Sequence, residues 1–169
     1  MNHRVNIEKA FAGMIAENER LIYKVCSVYA SEPEDRRDLF QEIVLQAWKG
    51  YARFKEEEAK ISTWLYRVAL NTAISHKRKQ YKTITTRSQD ELLYQIADNT
   101  IEYRNEEYKM LHQLISQLPT LEKALMLLYL EDKSYQEMAE ILGLTAGNVG
   151  VKINRIKEKL RRQAQPLFR

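Results

Sequence analysis

The sequence predicts an all-α protein made of two small helical domains joined by a flexible linker, and three observations predict it. Only 5 glycines and 3 prolines punctuate the 169 residues, too few for the tight turns that β-hairpins need. Apolar residues recur at three- and four-residue intervals over most of the chain, the period of helices that bury one face. Between Tyr81 and Asn99 that period fades into Thr, Ser, Asp and Asn, the composition of a tether. The expected layout is a first domain over residues 1–80, a linker over 81–102 and a second domain over 103–169. With 44% hydrophobic and 30% charged residues, each domain can bury only a modest core.

The first helix is expected over about residues 6–30, with Ile7, Ala10, Phe11, Met14, Ile15, Ile22, Val25 and Cys26 at helical spacing. Ser31-Glu32-Pro33 ends it, because proline restricts the residue before it and cannot continue the helix. A second helix follows, with Leu39, Phe40, Ile43, Val44, Ala47 and Trp48 on one stripe and Asp38, Gln41, Glu42 and Lys49 on another. The connector "GYARFKEEEAKIS" holds an acidic knot and the large side chains Tyr51, Arg53 and Phe54. A third helix is expected from a cap at Ser62 or Thr63 through Lys79. Ile61, Leu65, Val68 and Thr72 form its inner face, while Arg67, Asn71, Ser75 and Arg78 make a polar stripe before the basic run "HKRKQYK".

In the second domain a short helix is expected around Tyr103–Gln117. Pro119 suits the first turn of the next helix, whose apolar face is Leu121, Leu125, Leu128 and Tyr129, and Asp132-Lys133 breaks it. Ser134 with Glu137 three residues on reads as a capping box. Gly143 stands where a left-handed residue ends that helix. Thr145 caps the last helix, which buries Val149, Ile153, Ile156 and Leu160.

Several functions are excluded by composition. Cys26 is the sole cysteine, so no intrachain disulfide forms, and a small buried apolar role fits it better than a reactive thiol. His3, His76 and His112 lie far apart without companion cysteines, so no metal spacing and no cofactor motif appears. The N-terminus has no apolar signal segment, and no uncharged stretch reaches membrane-spanning length. A soluble cytoplasmic protein without membrane insertion is the default.

Charge gives the first positive clue. The net charge is +4, yet from Thr145 onward seven basic residues face the single acid Glu158. A polyanion is one partner for such a block, and a merely solvated face is the bland alternative. The stretch "SYQEMAEILGLTAGNV" bears on that choice: small Ala139 at a close crossing, Gly143 at the turn and Val149 in the angle make a helix-turn-helix. An ordinary helical hairpin packed in a core is the alternative, and against it stand the basic run after the corner and the exposed polar start of the last helix. In that geometry the start of the second helix enters the major groove. Thr145, Asn148, Lys152 and Arg155 are placed to reach bases or phosphates, and Lys157, Lys159, Arg161 and Arg162 to meet phosphates.

"DLFQEIVLQAWKGYARFKEEEAKISTWLYRVALNTAISHKRKQ" resembles region two of the extracytoplasmic-function sigma factors, small initiation subunits of bacterial RNA polymerase. "LPTLEKALMLLYLEDKSYQEMAEILGLTAGNVGVKINRIKEKLRR" resembles their region four. The resemblance implies a non-enzymatic protein that brings core RNA polymerase to promoter DNA. It implies that Asp38, Leu39, Gln41, Glu42 and Leu45 dock on the polymerase. It also implies that Asn71 reads an extruded base of the −10 element, with Arg67, Lys77, Arg78 and Lys79 on backbone phosphates. Trp64 is either a strand-opening wedge or core. The helix after Thr145, through Asn148, Lys152, Arg155 and Lys159, is implied to read the −35 element. Here the chain departs from many relatives, with Val151 and Lys152 in place of serine and arginine and Gly150 in place of a basic residue. The linker is implied to thread the polymerase cleft, and an anti-sigma factor is the implied regulatory partner. A free-standing helix-turn-helix regulator is the alternative, and the first domain speaks against it.

Overall fold

The structure, a computed structural model, describes residues 2–84 and 106–168. The chain divides into two compact units, Met1–Ile96 and Ala97–Arg169. The described residues form eight α-helices and a closing 3-10 turn, with no strand among them. Of the expected linker, residues 85–102 lie outside the described residues, as do 103–105 at the expected start of the second domain. The first residues of its range, up to Ile84, instead continue the preceding helix.

In the first unit, α1 (Asn2–Glu17) and α2 (Glu19–Tyr29) replace the single helix expected over 6–30. The break is at Asn18, whose side-chain amide donates to the Met14 carbonyl at 2.8 Å. A short polar side chain that bonds its own backbone competes with the helix ladder. Ala10, expected on the inner face, is exposed, while Leu21, Val28 and Tyr29 join the core.

Helix α3 (Pro33–Tyr51) starts with proline in its first turn, where the missing N–H costs nothing. Arg36 fixes the corner before it, donating through Nε to the Ala30 carbonyl at 2.9 Å and through Nη2 to the Ser31 carbonyl at 2.7 Å. Helix α4 (Ile61–Ile84) begins ahead of the expected caps. Thr63 lies within the first turn and is buried, so it is part of the packing. Helices α2, α3 and α4 pack mutually around Ile22, Val25, Leu39, Ile43, Leu65 and Leu70, each at most 1% exposed.

An aromatic chain closes one end of this bundle. Phe11 meets Trp48 and Tyr51 edge-on at 5.0 and 5.2 Å, and Trp64 lies 5.1 Å from Phe54 and 6.4 Å from Tyr51. Gly50 permits it: a Cβ there would stand 3.2 Å from Cζ2 of Trp64.

In the second unit, α5 (Glu106–Ser116) and α6 (Thr120–Leu130) precede the helix-turn-helix pair α7 (Tyr135–Leu142) and α8 (Ala146–Ala164). Pro119 is the N-cap of α6, one residue before the helical position expected for it. Helix α6 is buried from Lys123 to Leu128 and so is wrapped on all sides, not on the one face its leucines suggested. Asp132 takes φ 55° and turns the chain into α7, an αL position that aspartate tolerates better than most residues.

Candidate nucleic-acid and polymerase interfaces

The helix-turn-helix is held by local bonds that its sequence specifies. Ser134 N donates to Oε2 of Glu137 at 2.8 Å and Glu137 N donates to Oγ of Ser134 at 3.1 Å, a complete capping box. Gly143 ends α7 in the left-handed region at φ 68°. Thr145 accepts from Asn148 N at 3.2 Å and starts α8. Val149, fully buried, fills the angle, and Ile153, Ile156 and Leu160 continue its stripe.

That stripe fixes what the rest of α8 presents. At about 100° per residue, the face opposite it is Gly147, Val151, Asn154 and Glu158, all exposed. Asn148 and Arg155 are also exposed, beside this face, while Lys152 is half-buried on the flank. Much of the basic tail is already engaged. Lys159 Nζ donates to Oε2 of Glu122 on α6 at 3.3 Å, Lys157 Nζ sits 4.0 Å above the Tyr129 ring, and Arg162 pairs with Glu158. Such surface contacts are weak, about 0–1 kcal/mol for an exposed ion pair. The glycine at 150 has a packing reason: a Cβ there would meet the Tyr135 ring at 3.3 Å.

In the first unit the polar stripe of α4 is present as expected. Arg67, Asn71, Ser75 and Arg78 are exposed on one face, and Lys77 is half-buried next to exposed Arg78 and Lys79. Beside them an open groove of about 580 Å³ runs between α3 and α4, lined by Asn71, Ser75, His76 and Lys79 from α4 and by Glu42 and Gln46 from α3. Gln46 Nε2 donates to Oε1 of Glu42 at 2.8 Å, and Gln80 Nε2 lies 3.3 Å from Nε2 of His76. The groove is within the size range of small-ligand sites, about 300–1,000 Å³. Its walls carry both donors and acceptors, which suits the edge of a base.

The outer face of α3 carries Asp38 and Gln41, exposed, Glu42, half-buried, and Leu45, 46% exposed. Leu39 corrects the expectation drawn from resemblance: at 1% exposure it belongs to the core with Ile43 and Ala47 and has no surface to offer a partner. Trp64 is half-buried among Tyr51 and Phe54, so the structure supports its packing role, and a wedge would have to leave that cluster.

The first unit matches the family model for Sigma-70 region 2 over residues 14–83, and the second matches Sigma-70, region 4 over residues 108–160. Two regions of one family, in order, account for most of the chain. The chain belongs to the sigma-70 family, among its extracytoplasmic-function members. This sigma factor is similar to the RNA polymerase sigma-H factor of Pseudomonas aeruginosa, at 28% identity over 96% of this chain and 90% of the relative. It is 29% identical to the ECF RNA polymerase sigma factor SigW of Bacillus subtilis, over 95% of this chain and 91% of that one. Its fold matches the sigma factor RpoE of Bartonella quintana, solved in complex with the anti-sigma factor NepR, with TM-score 0.78, 18% identity and coverage of 93% and 98%. It also matches CnrH, solved in complex with the cytosolic domain of CnrY, with TM-score 0.67 and 18% identity over 94% of this chain and 90% of that one.

Sequence reasoning missed Gln46 and His76 as groove walls, and Val151 and Asn154 as the outermost residues of the sigma factor's α8. Gln46 stands one turn after Glu42 and Asn154 one turn after Val151, so the helical period alone carried both signals. No helix among the described residues is long and apolar enough to cross a membrane.

Proposed function

We infer that this sigma factor directs core RNA polymerase to its promoters by dividing the work between its units. The second unit grips duplex DNA at the −35 element through the start of α8. The first unit docks on the polymerase through Asp38, Gln41, Glu42 and Leu45 and opens the −10 element along α4. The observation that supports the division is the pairing, in one chain, of a helix-turn-helix with a second polar, basic helix face that lies beside an open groove.

The chemistry differs between the units. Duplex recognition needs cations at phosphates, which fix position, and neutral side chains at base edges, which discriminate at about 1–3 kcal/mol per good contact. Opening needs a place for what leaves the stack: extruding a base costs a few kcal/mol. The amide of Asn71 at the groove mouth offsets that cost by bonding the extruded base, and Arg67, Lys77, Arg78 and Lys79 hold the backbone. No bond of the substrate is made or broken by the chain itself, so it acts as a specificity subunit, not an enzyme, in the cytoplasm where the polymerase works. An anti-sigma factor that covers one or both units is the regulatory partner of this reading, supported by fold neighbours solved in complex with NepR and with the cytosolic domain of CnrY.

The test is reconstitution. The purified chain is mixed with sigma-free core polymerase and a pool of promoter fragments, and RNA is measured. Promoter-directed transcripts are expected. A chain that shifts DNA alone and starts no transcript is a free-standing regulator.

A further inference from the structure

The outermost face of α8 is neutral where it would press deepest into a DNA groove. Gly147, Val151 and Asn154 occupy its first turns, and charge returns only with the Glu158–Arg162 pair. Val151 is 51% exposed, a β-branched apolar side chain with about half its surface open to solvent. Gly147, one turn earlier on the same face, has no side chain, and a Cβ there would find nothing within 4 Å. The helix therefore shows Val151 as its most prominent side chain early on this face, with Arg155 exposed beside it and Lys152 on the flank for the phosphate walls. Fixed in χ1 by its branching, valine presents two methyl groups at little entropic cost.

In a major groove, the apolar feature that distinguishes one base from the others is the C5-methyl of thymine. We propose that Val151 is a specificity-determining residue of this sigma factor and reads a thymine methyl group in the −35 duplex. The proposal rests on the assignment of α8 to −35 recognition. Water is displaced from both methyl surfaces when they meet, and a cytosine or purine at that position leaves the valine against a polar edge.

The experiment uses the reconstituted holoenzyme. A −35 sequence is first selected by closed-complex binding from duplex fragments randomised over that element. Each thymine on either strand is then replaced by deoxyuridine, which removes only the methyl group. One position is expected at which the wild-type holoenzyme loses about fourfold in affinity, the worth of one buried methyl group. Val151→Ala should cut that loss to near unity, and Val151→Thr, which keeps one methyl in the same branched geometry, should retain part of it. A selected element without thymine, or uridine substitutions that cost nothing, or an equal loss with Val151→Ala, overturns the proposal while leaving −35 recognition standing. A wild-type holoenzyme that selects no −35 sequence overturns both.

Discussion

Two leucines on α3, six residues apart, have opposite surroundings: Leu39 is 1% exposed and Leu45 is 46% exposed. Leu45→Ala removes three carbons, worth about 2.4 kcal/mol if all were buried at ~0.8 kcal/mol each. Since about half of Leu45 is already covered within its unit, only the remaining half is left for a partner to bury. Docking on the polymerase should therefore weaken by about 1 kcal/mol, roughly sixfold, and the unit's own stability should fall by no more than about 1 kcal/mol, the share of the side chain already covered. Leu39→Ala should do the reverse: a cavity costing about 2–5 kcal/mol, seen as a melting temperature lower by ~10 °C or more for a unit of this size. Affinity for core polymerase is measured by fluorescence anisotropy of the labelled sigma factor, and stability by thermal unfolding followed by circular dichroism. The assignment of the docking face is refuted if Leu45→Ala binds core enzyme as tightly as wild type. It is equally refuted if Leu39→Ala, at a temperature where it is still folded, is the weaker binder.

Arg155→Ala should weaken closed-complex formation and lower the slope of log affinity against log salt by about one, the signature of one lost phosphate contact. An unchanged slope measured by filter binding would take Arg155 off the DNA backbone. Gly143→Ala meets no atom within 4 Å of its new Cβ, so its cost is the left-handed backbone at φ 68° alone, about 1–2 kcal/mol. The second unit's free energy of unfolding should fall by that amount and no more, measured by urea titration. Burial pushes the Cys26 thiol up to about 12 from its ordinary 9.0. The protonated thiol is thus favoured in the folded state, and its contribution is complete below pH 9 and lost as pH rises toward 12. Over that window wild type should lose up to ~1.4 kcal/mol per pH unit relative to Cys26→Ala, read from urea midpoints across pH. Alkylation of Cys26 by iodoacetamide should likewise wait for unfolding.

What the sequence made legible was mostly local chemistry. The Ser134–Glu137 box, Gly143 and the Thr145 cap each depend on residues within four positions, so the corner was readable from its letters. The buried stripe from Val149 to Leu160 followed from helical period alone. The break at Asn18 was hidden because the apolar period runs across it, and the cause is one amide turned onto a carbonyl four residues back. Thr63 looked like a cap because threonine often is one, but tertiary packing claimed it. Leu39 was carried to the surface by resemblance, although its spacing from Ile43 and Ala47 already placed it inside. Lys159 reaches Glu122 across 37 residues, and Gly150 lies under Tyr135. No local pattern encodes such contacts. The placing of Val151 and Asn154 outermost emerged only once the buried stripe of α8 was fixed.

The division of labour between the units is tested most directly by separating promoter binding from strand opening in the same holoenzyme. Asn71→Ala should form closed complexes with wild-type affinity yet leave the −10 thymines unreactive to permanganate. Arg155→Ala should show the opposite pattern, with weak closed binding but normal reactivity once DNA is saturating. If Asn71→Ala damages binding and opening equally, or if its −10 thymines react as in wild type, then α4 does not do the opening and the account fails.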